Sequence, residues 1–136
     1  MAIQALTNEK IVINSIDFSD HLRGSTLTIN AEDLDSTAMN AAGWRSHLGG
    51  LKNATLQVDF NQDYVASQID VTLFNALGTL VPFQVNPVNS ANSASNPGWT
   101  GSVLVSKCVP FANKVGELAV MSLSWPVSGQ VLRAIV

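Results

Sequence analysis

The sequence predicts a mainly β protein of the α+β class: a β-sandwich or distorted barrel of about seven strands, with one packed α-helix and a long loop between early strands. Three observations support this expectation. Two-residue apolar alternation recurs along the chain, and a single stretch switches to a three- and four-residue period. Polar faces are covered by Ser, Thr, Asn and Gln, since only 12% of residues are charged against 46% hydrophobic. That is about half the charged fraction usual for soluble domains, a balance that suits a β protein whose surface is partly buried in an assembly.

After a short arm, Ile11-Val12-Ile13-Asn14-Ser15-Ile16 is rich in β-branched residues and ends at the polar turn Asp17-Phe18-Ser19-Asp20, so it reads as a first strand. Residues 25–32 alternate, with Leu27, Ile29 and Ala31 on one face and Thr26, Thr28, Asn30 and Glu32 on the other. Residues 35–50 lose the alternation and hold Gly43, Gly49 and Gly50 along with Trp44, Arg45, His47 and Leu48. An irregular loop of that length is uncommon in a compact domain unless it has a task. Trp and Arg suit a contact arm because they concentrate at the centres of interfaces; the competing reading folds Trp44 back onto its own core. Over residues 54–60 every second residue is apolar, which puts Ala54, Leu56, Val58 and Phe60 in the core and Thr55, Gln57 and Asp59 on the opposite face, a face without bases.

From residue 63 to 77 the period changes. Ala66, Ile69, Leu73, Phe74 and Leu77 form an apolar stripe about three turns long, Asn61 or Asp63 can cap its start, and Gly78 stands where a left-handed end is wanted. Val81, Phe83 and Val85 resume the alternation, with Pro82 pointing to an edge or a strand start. A polar loop bracketed by prolines covers residues 86–97. Strands over 99–109, 118–125 and 131–135 complete the chain, separated by a turn at 110–114 and by Ser128-Gly129. No internal repeat or composition break interrupts residues 1–136, which are expected to form a single domain.

The chemistry-bearing residues point away from catalysis. Net charge is -3, no Lys or Arg lies between Lys52 and Lys107, and Asp59, Asp63 and Asp70 fall inside that window. A protein that grips DNA needs the reverse, clustered bases that displace counterions from phosphates. The longest apolar runs are a handful of residues, far short of the roughly 20 that a spanning helix needs, so no membrane association is expected. Cys108 is the only cysteine, and Met1-Ala2-Ile3-Gln4-Ala5-Leu6 lacks a signal-peptide pattern, which together suggest synthesis in a reducing cell interior. His21 and His47 have no second His or Cys at a metal-ligand spacing. No neighbouring His or helix start would activate Cys108, which reads as a small core residue. Asp17 with Asp20, and the group Glu32, Asp33 and Asp35, sit at turns and strand ends where Asp satisfies backbone donors. With no phosphate loop, nucleophile elbow or dinucleotide fingerprint, the expectation is no enzyme, no metal and no cofactor.

Longer blocks bear a resemblance. Val12-Ile13-Asn14-Ser15-Ile16-Asp17-Phe18-Ser19-Asp20-His21-Leu22, then Leu27-Thr28-Ile29 and Ala31-Glu32-Asp33-Leu34-Asp35-Ser36-Thr37-Ala38-Met39, resembles the major tail (tail tube) proteins of tailed bacteriophages. So does Trp44-Arg45-Ser46-His47-Leu48-Gly49-Gly50-Leu51-Lys52 running into Leu56 to Phe60 and Asn61-Gln62-Asp63, and Gly116-Glu117-Leu118-Ala119 is similar too. Asn40 departs from a Gly expected there, and Asn53-Ala54 from an acidic and aromatic pair.

The resemblance implies a structural virion subunit whose copies close into rings of six, edge to edge, and stack into the tail tube, the conduit for genome ejection. It implies Thr26, Thr28, Asn30, Glu32, Thr55, Gln57 and Asp59 as lumen-facing residues, continued by Ser122 and Ser124, past which DNA slides without specific binding. The 35–50 loop would reach an adjacent subunit or the next ring through Trp44, Arg45 and Leu48. Partners would be further copies, a tape-measure protein and a tail-terminator protein, with assembly in the host cytoplasm and a final place in the virion tail. Two other readings remain open at this point: a capsid decoration or other virion accessory protein, and a ligand-binding β-sandwich using Trp99 beside the 86–97 loop.

Overall fold

The computed structural model describes residues 8–39, 42–62, 64, 69–111 and 114–135. Strand β1 (Lys10–Ile13) turns at once into β2 (Ile16–Asp17), and a 3-10 turn at Ser19–His21 leads into the long β3 (Leu22–Asp35). Strand β4 (His47–Asn61) returns beside β3, followed by helix α1 (Ile69–Ala76), β5 (Leu80–Asn86), β6 (Gly98–Leu104) and β7 (Val120–Ala134). All seven strands belong to one sheet, ordered β2-β1-β5-β6-β7-β4-β3, in which every pairing is antiparallel.

Strand β7 divides the sheet into two leaves. Its first half pairs with β4, from Val120 opposite Asn61 to Pro126 opposite Thr55; its second half pairs with β6, from Val127 opposite Val103 to Ala134 opposite Gly98. Pro126 has no N–H to give to a ladder, which suits the handover between partners. Ile11, Ile13, Val81, Phe83 and Val103 from one leaf meet Leu56, Val58, Phe60, Met121, Leu123 and Trp125 from the other in one core. One folded sheet, not two separate ones, therefore encloses the core. Burying each such side chain stabilises the fold by about 1.5–3 kcal/mol. Trp125 is fully buried, and its Nε1 donates to the Lys107 carbonyl at 2.9 Å, so its one polar atom is satisfied. Phe18 packs edge-on against Phe60 with ring centroids 5.9 Å apart.

Several boundaries differ from the sequence reading, each for a local reason. The strand expected over 11–16 breaks because Asn14 and Ser15 both take left-handed backbone, with φ of 53° and 64°, and make a two-residue hairpin turn. Part of the expected 35–50 loop is ladder: Asp33, Leu34 and Asp35 pair with Gly49, Leu48 and His47, so the strands run to Asp35 and from His47. A bulge between Ala31 and Asp33 breaks the alternation there, which hid the strands. Gly50 lies at that bulge because a Cβ would stand 2.7 Å from Glu32 Oε2 and 3.0 Å from Glu32 Cβ.

The strands expected over 118–125 and 131–135 are one, β7, in which Gly129 at φ 89° makes an irregularity and no reversal. The strand expected to Val109 stops at Leu104, where its partner β5 begins at Leu80, so Cys108 follows the ladder and packs half-buried against the core. Helix α1 buries Ile69, Leu73 and Ala76, while Phe74 and Leu77 of the expected stripe are 61% and 47% exposed. Positions 69, 73 and 76 define the inward face at spacings of four and three, and Phe74 lies off it. Asn61 ends β4 and caps no helix; Asp63 and Ala66 lie outside the described residues.

Candidate channel face and assembly surfaces

On the leaf formed by β3, β4 and the first half of β7, alternation puts the core on one side and a polar ladder on the other. Thr26, Gln57 and Ser124 share one rung; Gly24, Asp59 and Ser122 the next; Thr28, Thr55 and Pro126 the one on the other side. Asn30 pairs with Asn53 beyond them. The sequence-predicted Thr26, Thr28, Asn30, Thr55, Gln57 and Asp59 thus form one contiguous face, with Ser122 and Ser124 extending it. Glu32 stands apart at the Gly50 bulge, where the ladder is interrupted.

This face is not wholly free of bases. A recess of about 530 Å³ on it is lined by Gly24, Thr26, Gln57, Asp59, Ser122 and Ser124, and also by Lys107 and Glu9. Lys107 comes from beyond the end of β6 and is anchored through its carbonyl by Trp125. No periodicity in the sequence signals that placement.

Past the core, β3 and β4 continue as a two-stranded arm. Its neck is closed by Ser36 N donating to Ser46 O at 2.9 Å and Ser46 N donating to Thr37 Oγ1 at 2.9 Å. His47 Nδ1 lies 2.8 Å from Asp33 Oδ1, and Arg45 Nη1 donates to Asp35 Oδ2 at 3.3 Å. Hydrogen bonds from the Thr37 side chain and backbone, helped by Arg45, hold the Asp35 carboxyl below its ordinary range. Exposed ion pairs of this kind add little stability, so the backbone ladder holds the arm. Trp44 is 80% exposed and Leu48 61%, which rules out the fold-back of Trp44 onto its own core. Leu34, Met39 and Leu51 are exposed with them, an apolar set the sequence reading did not collect.

Among the described residues the same leaf has two free edges. Strand β3 ends the sheet, and the first half of β7 has β4 on one side only, because β6 pairs with the second half. Unpaired edges present N–H and C=O groups to another chain.

The remaining candidates show ordinary roles. His21 Nδ1 lies 2.8 Å from Asp20 Oδ1, and Asp17 Oδ1 accepts from Ser19 N at 2.8 Å and from the Ser19 hydroxyl. Burial, and then the Asp70 charge, push the Cys108 thiol up, away from reactivity. Among the described residues no group of three His, Cys, Asp or Glu could hold a metal, and no helix is long and apolar enough to cross a membrane. Trp99 borders an apolar cleft of about 390 Å³ with Leu27, Ile29, Val85 and Pro87, and Arg133 stacks 6.0 Å from its ring centroid.

No family model matches the chain, and no curated protein matches it. Solved structures do. A chain in the virion of a native gene transfer agent particle superposes with a TM-score of 0.75 at 19% identity, covering 97% of this chain and 99% of that one. A chain in the tail of an empty gene transfer agent particle with C6 symmetry gives a TM-score of 0.72 at 18% identity, with the same coverage of 97% and 99%. The protein therefore has, along nearly its whole length, the fold of chains found in a gene transfer agent virion and in a sixfold-symmetric tail, which agrees with the tail tube resemblance read from its sequence.

Proposed function

We propose that the protein is a structural tail subunit of a phage-like virion, that its copies close into rings of six, and that the rings stack into a tube through which the genome is ejected. The observation that carries this reading is the full-length likeness to a chain of a C6-symmetric tail. Two free edges on one leaf support it, because a head-to-tail contact between different edges closes into a ring when the rotation fits. In this reading Thr26, Thr28, Asn30, Thr55, Gln57 and Asp59 line the lumen, with Glu32 at the bulge beyond them, and Trp44, Arg45 and Leu48 make inter-subunit contacts. Hydroxyls, amides and acids that outnumber the single Lys107 on this face let DNA slide, since each Lys or Arg would capture a phosphate. The role is structural and not enzymatic. A tape-measure protein and a tail terminator would bound the stack, and subunits would assemble in the host cytoplasm.

Native mass spectrometry of the purified protein tests the ring. The expected species has six times the 14.4 kDa chain mass, and multiples of it as concentration rises. A trimer that never grows would replace this reading with that of a decoration protein.

A further inference from the structure

Among the described residues Lys107 is the one base lining the recess on the channel face, which it shares with Glu9, Gln57, Asp59, Ser122 and Ser124. Its placement is rigid. Val105 is fully buried, its N–H donates to Thr79 O at 3.0 Å, and its carbonyl accepts from Gly78 N at 2.7 Å. On the other side Cys108 packs against the core. Between them the Lys107 carbonyl accepts from Trp125 Nε1 at 2.9 Å, while the Lys107 side chain is exposed. The main chain is thus pinned on both sides of this residue and at the residue itself. Among the described residues no salt bridge engages its ammonium.

A lysine held on a fixed backbone, with its ammonium unpaired beside a polar recess, is suited to meet a phosphate as a point charge. Two carboxylates temper it. Glu9 is tied to the recess by the Ser25 hydroxyl, which donates to Glu9 Oε2 at 2.9 Å, and Asp59 is exposed on the rung between Gly24 and Ser122. The recess therefore carries two acids against one base. We propose that Lys107 is the point at which each subunit touches the phosphate backbone of the passing duplex, and that Glu9 and Asp59 keep this contact weak enough to release. The inference rests on the reading of this face as the tube lumen and adds a residue and a role to it. A phosphate contact carries no base information, so any sequence can pass. Sixfold closure would space the lysines evenly around the bore, so phosphates meet them at every rotational phase of the duplex. A wall of acids alone would repel the polyanion along the whole tube. One weakened cation per subunit offsets that repulsion without holding the DNA in place.

The test compares tubes of the full wild-type chain with tubes of Lys107→Gln, Lys107→Arg and Asp59→Asn, using fluorescence binding of a short duplex between about 50 and 200 mM salt. Both side chains are exposed, and Trp125 uses only the Lys107 carbonyl, so all four proteins should fold and assemble alike. Each phosphate neutralised adds about 0.9 to the slope of log affinity against log salt. If about half of the lysines in one ring engage, they make wild-type affinity fall about 40-fold across that range. Lys107→Gln should lose that dependence, Lys107→Arg should keep it, and Asp59→Asn should tighten binding at every salt concentration. A slope that Lys107→Gln leaves unchanged overturns the proposal, and so does Asp59→Asn binding no tighter than the wild type. A wild-type protein that forms no tubes overturns instead the tube reading beneath it.

Discussion

Placing two lysines on the proposed channel face, Thr55→Lys with Gln57→Lys, tests the electrostatic reading of that face. The two positions occupy neighbouring rungs of β4, across from Thr28 and Thr26 on β3, about 6.7 Å apart along the strand. Neither belongs to the core, where Ala54, Leu56 and Val58 point the other way. Repulsion between the new ammonium groups at that distance in water is about 0.6 kcal/mol before screening, so the subunit should fold and assemble. The chain's net charge moves from -3 to -1, and a ring of six gains twelve cations in one band. Duplex DNA carries one charge per about 1.7 Å, and each phosphate neutralised adds about 0.9 to the slope of log affinity against log salt. If half of the twelve lysines engage, binding to assembled tubes should fall about 10³-fold between 50 and 200 mM salt. The assay is fluorescence binding of a short duplex to wild-type and variant tubes across that range, paired with DNA delivery by particles built from the variant. Variant tubes that bind no better than wild type, in particles that deliver normally, would refute the assignment of this face to the channel.

Three further outcomes follow from individual contacts. Trp125→Phe removes the hydrogen bond to the Lys107 carbonyl, a loss of about 0.5–1.5 kcal/mol that should lower Tm by about 2–5 °C; an unchanged Tm would show that the indole N–H contributes nothing. Gly50→Val forces Glu32 off the bulge, so amide exchange should quicken over residues 47–52 while the core strands keep their protection, and uniform exchange across both would contradict the local account. The Asp35 carboxyl, held low by Thr37, should titrate below an ordinary aspartate in NMR. Because its folded-state pKa is depressed, its contribution to arm order is present above the ordinary carboxylate pKa and lost as pH falls through the lower folded value; arm protection that persists below that point would remove Asp35 from the explanation.

Strict alternation made the central strands legible. In β4, Ala54 to Phe60 placed every inward and outward residue as observed, because one face is fully buried and a slip of one residue would expose all of it. Legibility failed where the backbone departs from regular geometry. Asn14 and Ser15 hide a hairpin turn inside an apolar run, the bulge at Gly50 disguises two strands as a loop, and Gly129 imitates a chain reversal within β7.

The candidate surfaces divide in the same way. The polar ladder from Thr26 to Asp59 was readable because cross-strand partners share a face, whereas Lys107 arrives from an irregular segment held by contacts such as the Trp125 hydrogen bond, which no periodicity signals. Phe111 and Leu118 were not legible as exposed positions, since an irregular segment has no periodicity that sorts inward from outward residues. Phe74 and Leu77 show the converse, apolar residues assigned to a buried stripe that the short helix turns outward.

The central claim is that this chain builds a sixfold tube from copies of itself, and negative-stain electron microscopy of the purified protein over a range of concentrations tests it most directly. The account predicts hollow tubes in side view and rings with sixfold symmetry in end view, growing longer as concentration rises. A stable monomer, or an isolated trimer that persists at the highest concentration, would contradict it.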